Sequence, residues 1–343
     1  MILTAKQHMP PANFAPVERL RQALAQSGQP ALAVGLKQNA GLARYTAARI
    51  GGAAELLLEA HDQDELAAGV AAAWALDLPC LVLGAGSNVL VSDAGVHGLV
   101  IVNRARATRF EPQNSPPQVW AESGANFGAL ARQAAQRGLG GLAWAAGIPG
   151  TVGGAVVGNA GAHGGDMTQN LLAAQVLRRE AGAEPARETW SLADMGYAYR
   201  TSRLKTYPGA VVVLSATLRL APQEPQVIQA EMERFLAFRR STQPPGASLG
   251  SMFKNPPGDY AGRLIEAAGL KGARRGAAQI SELHANFFVN TGGARAADVY
   301  ALIVAAREAV QAQLGVTLEL EVELLGDWAS PTAENGPRGG RKR

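Results

Sequence analysis

A short apolar run and a glycine-rich turn follow one another in Leu78-Pro79-Cys80-Leu81-Val82-Leu83-Gly84-Ala85-Gly86-Ser87-Asn88-Val89. The apolar run predicts a buried strand over 79–83, because a strand covered on both faces is hydrophobic throughout. The glycines let backbone N–H groups turn inward toward a phosphate with no Cβ in the way. The stretch therefore predicts a strand that ends in a phosphate-binding turn.

The turn lacks two parts of the dinucleotide-binding fingerprint of Rossmann folds. Gly84 and Gly86 match the first two glycines of G-x-G-x-x-G, but Val89 stands at the third position. About 20 residues further on, where an acidic side chain would bind a ribose hydroxyl, the chain has Asn103 and Arg104. A Rossmann fold is therefore not the favoured interpretation.

A second glycine-rich segment follows, and we predict a long loop over 140–165. It contains Gly147-Ile148-Pro149-Gly150-Thr151-Val152-Gly153-Gly154 and Gly158-Asn159-Ala160-Gly161. Two such segments favour a dinucleotide bound in an extended conformation, with its diphosphate against backbone amides. The alternative is a glycine-rich connection that binds no ligand.

Helices and strands alternate along the rest of the chain, which predicts a mixed α+β fold. Helices are predicted where apolar residues follow the helical period and a capping residue or a glycine marks an end. The last predicted strand alternates strictly, with Glu319, Glu321 and Glu323 on one face. The predicted helices cover 17–24, 62–76, 126–137, 226–239, 259–268 (capped by Asp259) and 296–314, and the predicted strands cover 98–102, 119–122, 173–179, 210–218 and 317–325.

Composition restricts the class of protein. A chain of 343 residues with 47% hydrophobic and 17% charged residues predicts two or three globular domains. The single cysteine, Cys80, excludes an internal disulfide, and the five histidines lack metal-ligand spacing, so no metal is expected. The sequence has neither a membrane-length apolar run nor a signal-peptide pattern, so we expect a cytoplasmic protein without membrane contact.

The net charge of +4 arises at the C-terminus. Four basic residues lie within the last six, so residues 1–337 are formally neutral. A charge confined to a tail is poor support for nucleic-acid binding, and none is expected. The tail, 329–343, is rich in Gly and Pro and is predicted to be disordered.

Candidate catalytic groups are concentrated in Gly250-Ser251-Met252-Phe253-Lys254-Asn255-Pro256. The prolines disfavour a helix, so these polar groups are predicted to lie on an irregular turn, where catalytic groups are often found. Ser251 and Lys254 form the S-x-x-K of penicillin-binding enzymes, but the S-D-N and K-T-G motifs that accompany it are missing. Acyl transfer to serine is therefore not expected, and an ordinary surface turn remains the alternative.

A basic segment supplies a further candidate in Tyr199-Arg200-Thr201-Ser202-Arg203-Leu204-Lys205. Arginine keeps its charge and can bind a carboxylate or a phosphate with two parallel hydrogen bonds. A solvated basic edge is the alternative for this segment, as a solvated strand face is for the three glutamates.

In order and spacing, these segments resemble one family, the UDP-N-acetylenolpyruvoylglucosamine reductases, from about Tyr45 to Gly326. The matching segments are Arg49-Ile50-Gly51-Gly52, 83–93, 147–150, 158–161, Tyr199-Arg200 with Ser202, 250–256, 261–266, 269–272, Ser281, His284-Ala285-Asn286-Phe287 and Glu321-Val322. The resemblance implies an α+β fold with an FAD-binding PCMH-type domain over 43–222, built from two α+β subdomains as in vanillyl-alcohol-oxidase-like flavoenzymes. A smaller α+β substrate-binding domain would follow over 223–328, and residues 1–42 would form an N-terminal extension. The chain resembles the shorter subtype, which lacks a tyrosine-bearing lid insertion.

The resemblance also implies the reaction. NADPH would reduce FAD, and reduced FAD would reduce UDP-N-acetylglucosamine enolpyruvate to UDP-N-acetylmuramate, a precursor of peptidoglycan. Arg200 and Glu321 match the groups that stabilise the enolate intermediate, and Ser251 matches the proton donor. The implied partner is this nucleotide sugar alone, and a monomer is expected.

Further site residues are implied residue by residue. The implied FAD-binding residues are Arg49, Gly84, Ala85, Gly86, Ser87, Asn88, Val89, Gly147, Ile148, Pro149, Gly150, Val152, Gly153, Asn159 and Gly161. The implied substrate-binding residues are Tyr199, Arg240, Lys254, Asn255 and His284.

The chain departs from the family pattern at two places. His163 stands where a tyrosine is expected, which leaves its role open, and Ala47-Ala48 replace a Thr-containing pair before Arg49. Two alternatives to the implied activity remain, which are another FAD-dependent oxidoreductase and a catalytically silent nucleotide-sugar-binding protein. A silent protein would be expected to lack at least one of the three catalytic matches, and all three are present.

Overall fold

The computed structural model describes residues 15–180 and 182–328, so the predicted tail and residues 1–14 lie outside the described part. The helices are α1 Ala15–Gln26, α2 Pro30–Gly35, α3 Gln63–Ala75, α4 Phe127–Ala135, α5 Val152–Gly158, α6 Met167–Asn170, α7 Pro225–Thr242, α8 Ala261–Ala267 and α9 Ala296–Leu314. The strands are β1 Lys37–Gly41, β2 Ala53–Ala60, β3 Cys80–Leu83, β4 Val89–Val91, β5 Val96–Asn103, β6 Thr108–Glu111, β7 Gln118–Glu122, β8 Leu139–Gly140, β9 Gly161–Ala162, β10 Gly165–Asp166, β11 Leu171–Arg178, β12 Ala186–Ser191, β13 Val211–Arg219, β14 Ala221–Pro222, β15 Ala247–Ser251, β16 Arg274–Arg275, β17 Ala278–Ile280, β18 Phe287–Asn290 and β19 Glu323–Leu325. The predicted α+β class is confirmed, and no helix of the described residues is long and apolar enough to cross a membrane.

The strand that opens the glycine-rich turn, β3, lies at the edge of a four-stranded sheet in the order β1-β2-β5-β3. β5 pairs in parallel with both β2 and β3, whereas β1 is antiparallel to β2. Asp62 caps α3 as predicted, because its carboxylate accepts from the N–H groups of Asp64 and Glu65 at 2.8 Å. The predicted N-terminal helix is also present as α1, whose Leu20 and Leu24 are fully buried in the same core cluster as α3.

A second sheet is antiparallel throughout, in the order β12-β11-β13-β7-β6. One face of this sheet forms the largest buried cluster together with α4, α5 and α7. Phe127 of α4 and Phe235 of α7 belong to this cluster, so α7 packs on the region that precedes it in the chain. The strand β12 was not predicted from the sequence.

The long loop predicted over 140–165 is wrong, because α5 occupies part of it. Thr151 caps this helix by accepting from the N–H of Gly154 at 3.3 Å. Glycines weaken a helix, which is why the sequence did not indicate one here. A Cβ on Gly153 would lie 2.8 Å from the Cβ of Ser123, so the glycine allows α5 to approach the sheet closely.

The C-terminal region packs α8 and α9 against a third sheet, ordered β15-β18-β17-β16. The cap predicted for α8 is wrong, because Tyr260 occupies the N-cap position. Asp259 instead accepts from the N–H of Tyr260 at 2.7 Å and forms an ion pair with Arg263. The N–H of Ala261 donates to Oδ1 of Asn255 at 3.1 Å, so an asparagine from the preceding turn satisfies this end of the helix.

The strand predicted over 317–325 is only three residues long, since β19 begins at Glu323. The predicted alternation holds at the ends of the segment, because Leu318 and Val322 are buried while Glu319 and Glu323 are exposed, but it fails at Glu321, whose side chain is largely buried. Residues 317–322 bond to the turn after β15 in place of a regular ladder. β19 itself pairs in parallel with β4, which connects the C-terminal region to the glycine-rich turn.

A carboxylate from the turn after β4 caps the longest helix of the C-terminal region. Asp93 accepts from the N–H groups of Ala296 and Ala297, each at 2.9 Å. We expect Asp93→Ala to lower the free energy of unfolding by about 1–2 kcal/mol, because both donors lose their acceptor. Urea denaturation would measure this loss, with Asp62→Ala as the matched control for a cap whose helix follows directly. A loss below about 0.3 kcal/mol would show that the Asp93 cap adds nothing to stability.

Candidate active site

The three residues predicted to be catalytic come from distant parts of the chain. Arg200 lies on the loop between β12 and β13, Ser251 ends β15, and Glu321 lies shortly before β19. Nε of Arg200 is 3.0 Å from Oε1 of Glu321. The N–H of Glu321 donates to the carbonyl of Met252 at 3.0 Å, which places Glu321 next to the segment that bears Ser251.

The loop that carries Arg200 is attached to α5, the helix that the sequence did not predict. Three side chains make the connection: Tyr197 Oη donates to the Val156 carbonyl at 2.9 Å, Asn159 Nδ2 to the Ala198 carbonyl at 3.0 Å, and Ser202 Oγ to the Val157 carbonyl at 2.6 Å. Arg200 itself has φ = +56°, a left-handed conformation that is uncommon for a residue with a side chain. Such strain persists only where the surroundings hold it, and α5 provides that support.

Glu321 is the most buried charged group of the site, with a side chain that is 19% exposed. Burial raises the pKa of its carboxyl group, and the positive charges of Arg200, Lys205 and Lys254 oppose that rise. The Nε–H of Arg200 lies close to Glu321 but is not directed at an acceptor among the described residues, so the contact is an ion pair without a hydrogen bond. A buried donor of Arg200 without an acceptor among the described residues therefore lies beside a carboxyl group whose pKa is raised.

Each of the two neighbouring glutamates also pairs with a cation. Glu323 Oε1 lies 2.9 Å from Nζ of Lys205, and Glu319 pairs with Lys254. The face of 319–323 is therefore a row of ion pairs and not a freely solvated strand face. Lys205 was not among the predicted site residues, although it ends the basic segment that contains Arg200.

Asn286 holds the turn that follows Ser251. Its Oδ1 accepts from the N–H of Phe253 at 2.9 Å, and its Nδ2 donates to the carbonyl of Phe253 at 2.8 Å. The backbone carbonyl of Asn286 accepts from the N–H of Met252 at 2.8 Å. No role for Asn286 was predicted, and its only sequence signal was its place in the matching segment 284–287.

Two of the predicted substrate-binding residues have partners inside the C-terminal region. Nδ1 of His284 accepts from the N–H of Asn286 at 3.2 Å, and its ring lies 4.9 Å from that of Phe287. Burial lowers the pKa of His284, which favours the neutral ring that this acceptor role needs. Asn255 caps α8 through Oδ1, so its amide nitrogen is the atom that remains for another contact.

The other predicted substrate-binding residues differ in their distance from the catalytic pair. Tyr199 is 57% exposed and lies beside Arg200, whose guanidinium carbon is 5.7 Å from its ring centroid. Lys254 is close enough to affect the pKa of Glu321. Arg240 is exposed in the last turn of α7, and no described contact joins it to Arg200 or Ser251.

The two glycine-rich segments lie side by side. Oγ of Ser87 donates to the carbonyl of Pro149 at 3.1 Å, and a Cβ on Gly84 would lie 2.6 Å from Oγ1 of Thr151. Among the described residues, the successive N–H groups of 85–88 donate to no protein acceptor. Successive free amides of this kind form a site for an anion such as a diphosphate.

Not every predicted cofactor-binding residue offers a backbone amide. The N–H of Val152 donates to the Ala125 carbonyl at 2.9 Å, and that of Gly153 donates to the Ser123 carbonyl at 2.8 Å. Arg49 is exposed near the first turn, with φ = +57°. The first turn is therefore better suited to bind a diphosphate through its backbone than the start of α5.

Gly86 allows the first turn to pack against Tyr45. Its φ is +59°, and a Cβ would lie 2.3 Å from the carbonyl oxygen of Tyr45. We expect Gly86→Ala to lower the free energy of unfolding by about 2–5 kcal/mol, through backbone strain plus this steric clash. Gly209→Ala is the control, because Gly209 has φ = +73° with open space around a Cβ, and it should cost about 1–2 kcal/mol. Equal losses in urea denaturation would show that the contact with Tyr45 is unimportant.

His163, the departure from the family pattern, packs against α7. Its ring stacks on Phe235 with the centroids 4.2 Å apart, and its Nε2 is buried without a partner among the described residues. Burial lowers the pKa of His163, and the charges of Arg239 and Arg234 lower it further. The neutral ring therefore replaces the expected tyrosine as an aromatic packing element.

Comparison with known proteins gives one consistent family. The sequence model of the UDP-N-acetylenolpyruvoylglucosamine reductase C-terminal domain matches residues 242–325, and an FAD binding domain model matches residues 54–183. A UDP-N-acetylenolpyruvoylglucosamine reductase from Chloroflexus aggregans is 44% identical over 300 residues, which are 86% of this chain and 99% of that protein. A reductase of the same name from Synechococcus sp. is 47% identical over 292 residues, covering 84% and 91% of the two chains.

A solved structure agrees with these relatives. The crystal structure of UDP-N-acetylenolpyruvylglucosamine reductase from Thermus caldophilus superposes with a TM-score of 0.70 at 36% sequence identity. The match covers 85% of this chain and 98% of that chain.

Proposed function

Since the chain belongs to the UDP-N-acetylenolpyruvoylglucosamine reductase family, we propose that it reduces UDP-N-acetylglucosamine enolpyruvate to UDP-N-acetylmuramate, with bound FAD and with NADPH as the reductant. The observation that carries this proposal is the pair of Arg200 and Glu321, with Nε of Arg200 3.0 Å from Oε1 of Glu321. The backbone of Glu321 is in turn bonded to Met252, next to Ser251. The arrangement joins an anion-stabilising group, a carboxyl group and a hydroxyl group beside a phosphate-binding turn.

The first glycine-rich turn fits the diphosphate of FAD, because the free N–H groups of 85–88 can bind its oxygens. When bound, FAD supplies the redox chemistry, which is the transfer of a hydride from NADPH to the terminal vinyl carbon of the substrate. The protein orients the reactants and stabilises the charge that develops. The other predicted cofactor contacts, from Arg49 and the segment 147–161, belong to the same proposal.

Arg200 stabilises the negative charge that develops on the carboxylate side of the substrate. Hydride addition to the vinyl carbon converts the enolpyruvyl group into an enolate, whose charge spreads onto the carboxylate oxygens. The guanidinium group is positive at every relevant pH, and its buried Nε–H has no acceptor among the described residues. A donor that is already in place when the charge develops stabilises the transition state without reorganisation.

Glu321 acts as a protonated acid in this scheme. A carboxylate would repel the enolate, whereas a carboxyl group can donate a hydrogen bond to it. Burial raises the pKa of Glu321 and so favours the protonated form. The positive charges of Arg200, Lys205 and Lys254 limit that rise in pKa. The negative charge of the bound substrate would oppose their effect and so favour the protonated form.

Ser251 donates the proton that completes the reaction, to the carbon that bears the ether oxygen. Serine is a weak acid, but the enolate carbon is strongly basic, so the transfer is favourable once the two groups are in contact. Lys254, three residues further along the same turn, can stabilise the alkoxide that Ser251 leaves behind. The serine then recovers its proton from solvent.

Substrate binding uses the cations and polar groups around this centre. Lys254 and Arg240 would neutralise the diphosphate, and Tyr199, Asn255 and His284 would contact the sugar or the uracil ring. We also propose the domain limits 43–222 and 223–328, a monomeric protein and a cytoplasmic location, where the nucleotide-sugar substrate is made.

The experiment that tests the activity is anaerobic absorbance spectroscopy of the purified full chain. The oxidised flavin spectrum should bleach with NADPH and return when UDP-N-acetylglucosamine enolpyruvate is added without oxygen. A flavin that bleaches but stays reduced would favour an FAD-dependent oxidoreductase with another substrate. A protein that binds no flavin, even with added FAD, would contradict the proposal.

A further inference from the structure

We propose that Asn88 is a positioning residue for Glu321, and that it couples the turn that binds the cofactor to the carboxyl group that acts on the substrate. The inference rests on the proposed function and deepens it. Its basis is a pair of contacts that join two segments separated by more than two hundred residues in the sequence.

Asn88 holds the backbone on both sides of Val322. Its Nδ2 donates to the carbonyl oxygen of Glu321 at 3.0 Å. Its own carbonyl accepts from the N–H of Glu323 at 3.0 Å. The parallel pairing of β4 with β19 begins at the next residue, Val89, opposite Glu323. The side chain of Asn88 therefore adds one hydrogen bond beyond the β4–β19 ladder. This bond holds Glu321, whose carboxyl group needs a fixed position.

The opposite side of Glu321 is held by the segment of Ser251. The N–H of Glu321 donates to the Met252 carbonyl at 3.0 Å, so its backbone lies between the cofactor turn and the proton-donor turn. Within 317–322, Leu320 makes an isolated bridge to Phe253, and no regular strand forms among these residues. The position of Glu321 therefore depends on a few discrete hydrogen bonds, and the amide of Asn88 supplies one of them.

The two functions of Asn88 use different atoms. Its backbone N–H belongs to the free amides of 85–88, whereas its side chain is directed at Glu321. Removal of the side chain leaves the backbone amide in place. A substitution can therefore separate cofactor binding from the positioning of Glu321.

The test is Asn88→Ala in the full-length holoenzyme. The dissociation constant of FAD should stay within about threefold of the wild-type value, because the backbone amides remain. The rate of flavin reoxidation by substrate should fall about tenfold or more, since small displacements of a catalytic group are costly. This rate is expected to decrease as pH rises and Glu321 loses its proton. In Asn88→Ala the decrease should occur at a lower pH than in the wild type. A Glu321 carboxyl group that reaches water loses the burial that raises its pKa, and Arg200, Lys205 and Lys254 still favour its ionised form.

Ser87→Ala is the matched control, because it removes the neighbouring side chain and its hydrogen bond to Pro149 while the turn keeps its amides. It is expected to weaken FAD binding, because the hydrogen bond that joins the two glycine-rich segments is lost, without moving the pH profile. Asn88→Ser, whose hydroxyl is too short to reach Glu321, carries the same expectation as Asn88→Ala and serves if the alanine variant does not fold.

Two results would overturn the inference. One is an Asn88→Ala enzyme, saturated with FAD, that reoxidises at the wild-type rate with an unchanged pH profile. The other is an equal slowing of both half-reactions at every pH. Failure of the proposed function is distinct from both, because the wild-type protein itself would then not be reoxidised by the substrate.

Discussion

Ser251→Ala is expected to slow flavin reoxidation by UDP-N-acetylglucosamine enolpyruvate about 10²- to 10⁴-fold, the usual contribution of a general acid. Reduction of the bound flavin by NADPH should stay near the wild-type rate, because that step needs no proton from Ser251. Anaerobic stopped-flow absorbance measures the two half-reactions separately. The contrast between them is the expected signature of a proton donor to the substrate.

The substitution should leave the fold intact. The position of Ser251 is set by backbone contacts, namely its pairing with Phe287 and the bonds of Met252 and Asn286. Its hydroxyl group bonds to no protein acceptor among the described residues. Ser248→Ala, in the same strand, controls for the loss of a hydroxyl group from β15. Equal slowing of both half-reactions in Ser251→Ala would mean that the serine serves binding or folding instead.

Elements with local signals were predictable from the sequence. The helix over 296–314 has the predicted bounds, because a regular apolar period ends at Gly315, which adopts φ = +70° as a C-cap. The position of strand β3 and of its turn was predictable for the same reason, since the apolar run and the glycines are neighbours in the chain, but the predicted burial on both faces was wrong, because β3 lies at a sheet edge with three of its four residues only partly buried. In both cases the decisive interactions lie within a few residues of each other.

Elements that depend on distant contacts were not predictable. The helix α5 contains three glycines in seven residues, so its intrinsic propensity is low, and its stability comes from packing against the second sheet. The segment 317–322 has the alternation of a strand, but its N–H and carbonyl groups bond to the turn after β15. Alternation reports which side chains are buried and not which backbone groups pair.

The candidate site likewise contains residues that local motifs indicate and residues whose contacts form only between distant segments. Arg200, Ser251 and Glu321 were predicted through the resemblance to a family, because each lies in a short motif of its own. Asn88 and Asn286 support the site through bonds between side chain and backbone, and these bonds exist only after the chain has folded. No spacing within the sequence indicates such partners, so sequence motifs gave the candidate reacting groups but not the bonds between side chain and backbone that hold their segments in place.

Glu321→Gln is expected to slow flavin reoxidation by the substrate about 10²-fold, while NADPH reduces the flavin near the wild-type rate. Glutamine can still donate a hydrogen bond, but its amide N–H is far less acidic than a carboxyl O–H and stabilises the negative charge of the enolate less. In the wild type this half-reaction should slow as pH rises through the raised pKa of Glu321, because the protonated form is the active one. The glutamine side chain does not titrate, so this part of the pH dependence should vanish from the rate constants measured across pH.

Stability provides an independent measure of the same titration. The pKa of Glu321 is raised above its ordinary value of 4.5 in the folded protein, so the folded state binds this proton more tightly than the unfolded state. The free energy of unfolding should therefore fall as pH rises from 4.5 through the raised pKa, and Glu321→Gln should lack this fall. Glu319→Gln, on the same face but with a side chain that is 73% exposed, should keep it. If the stability curve of Glu321→Gln retained the fall, another group would be responsible, and Glu321 would act on the substrate as a carboxylate paired with Arg200.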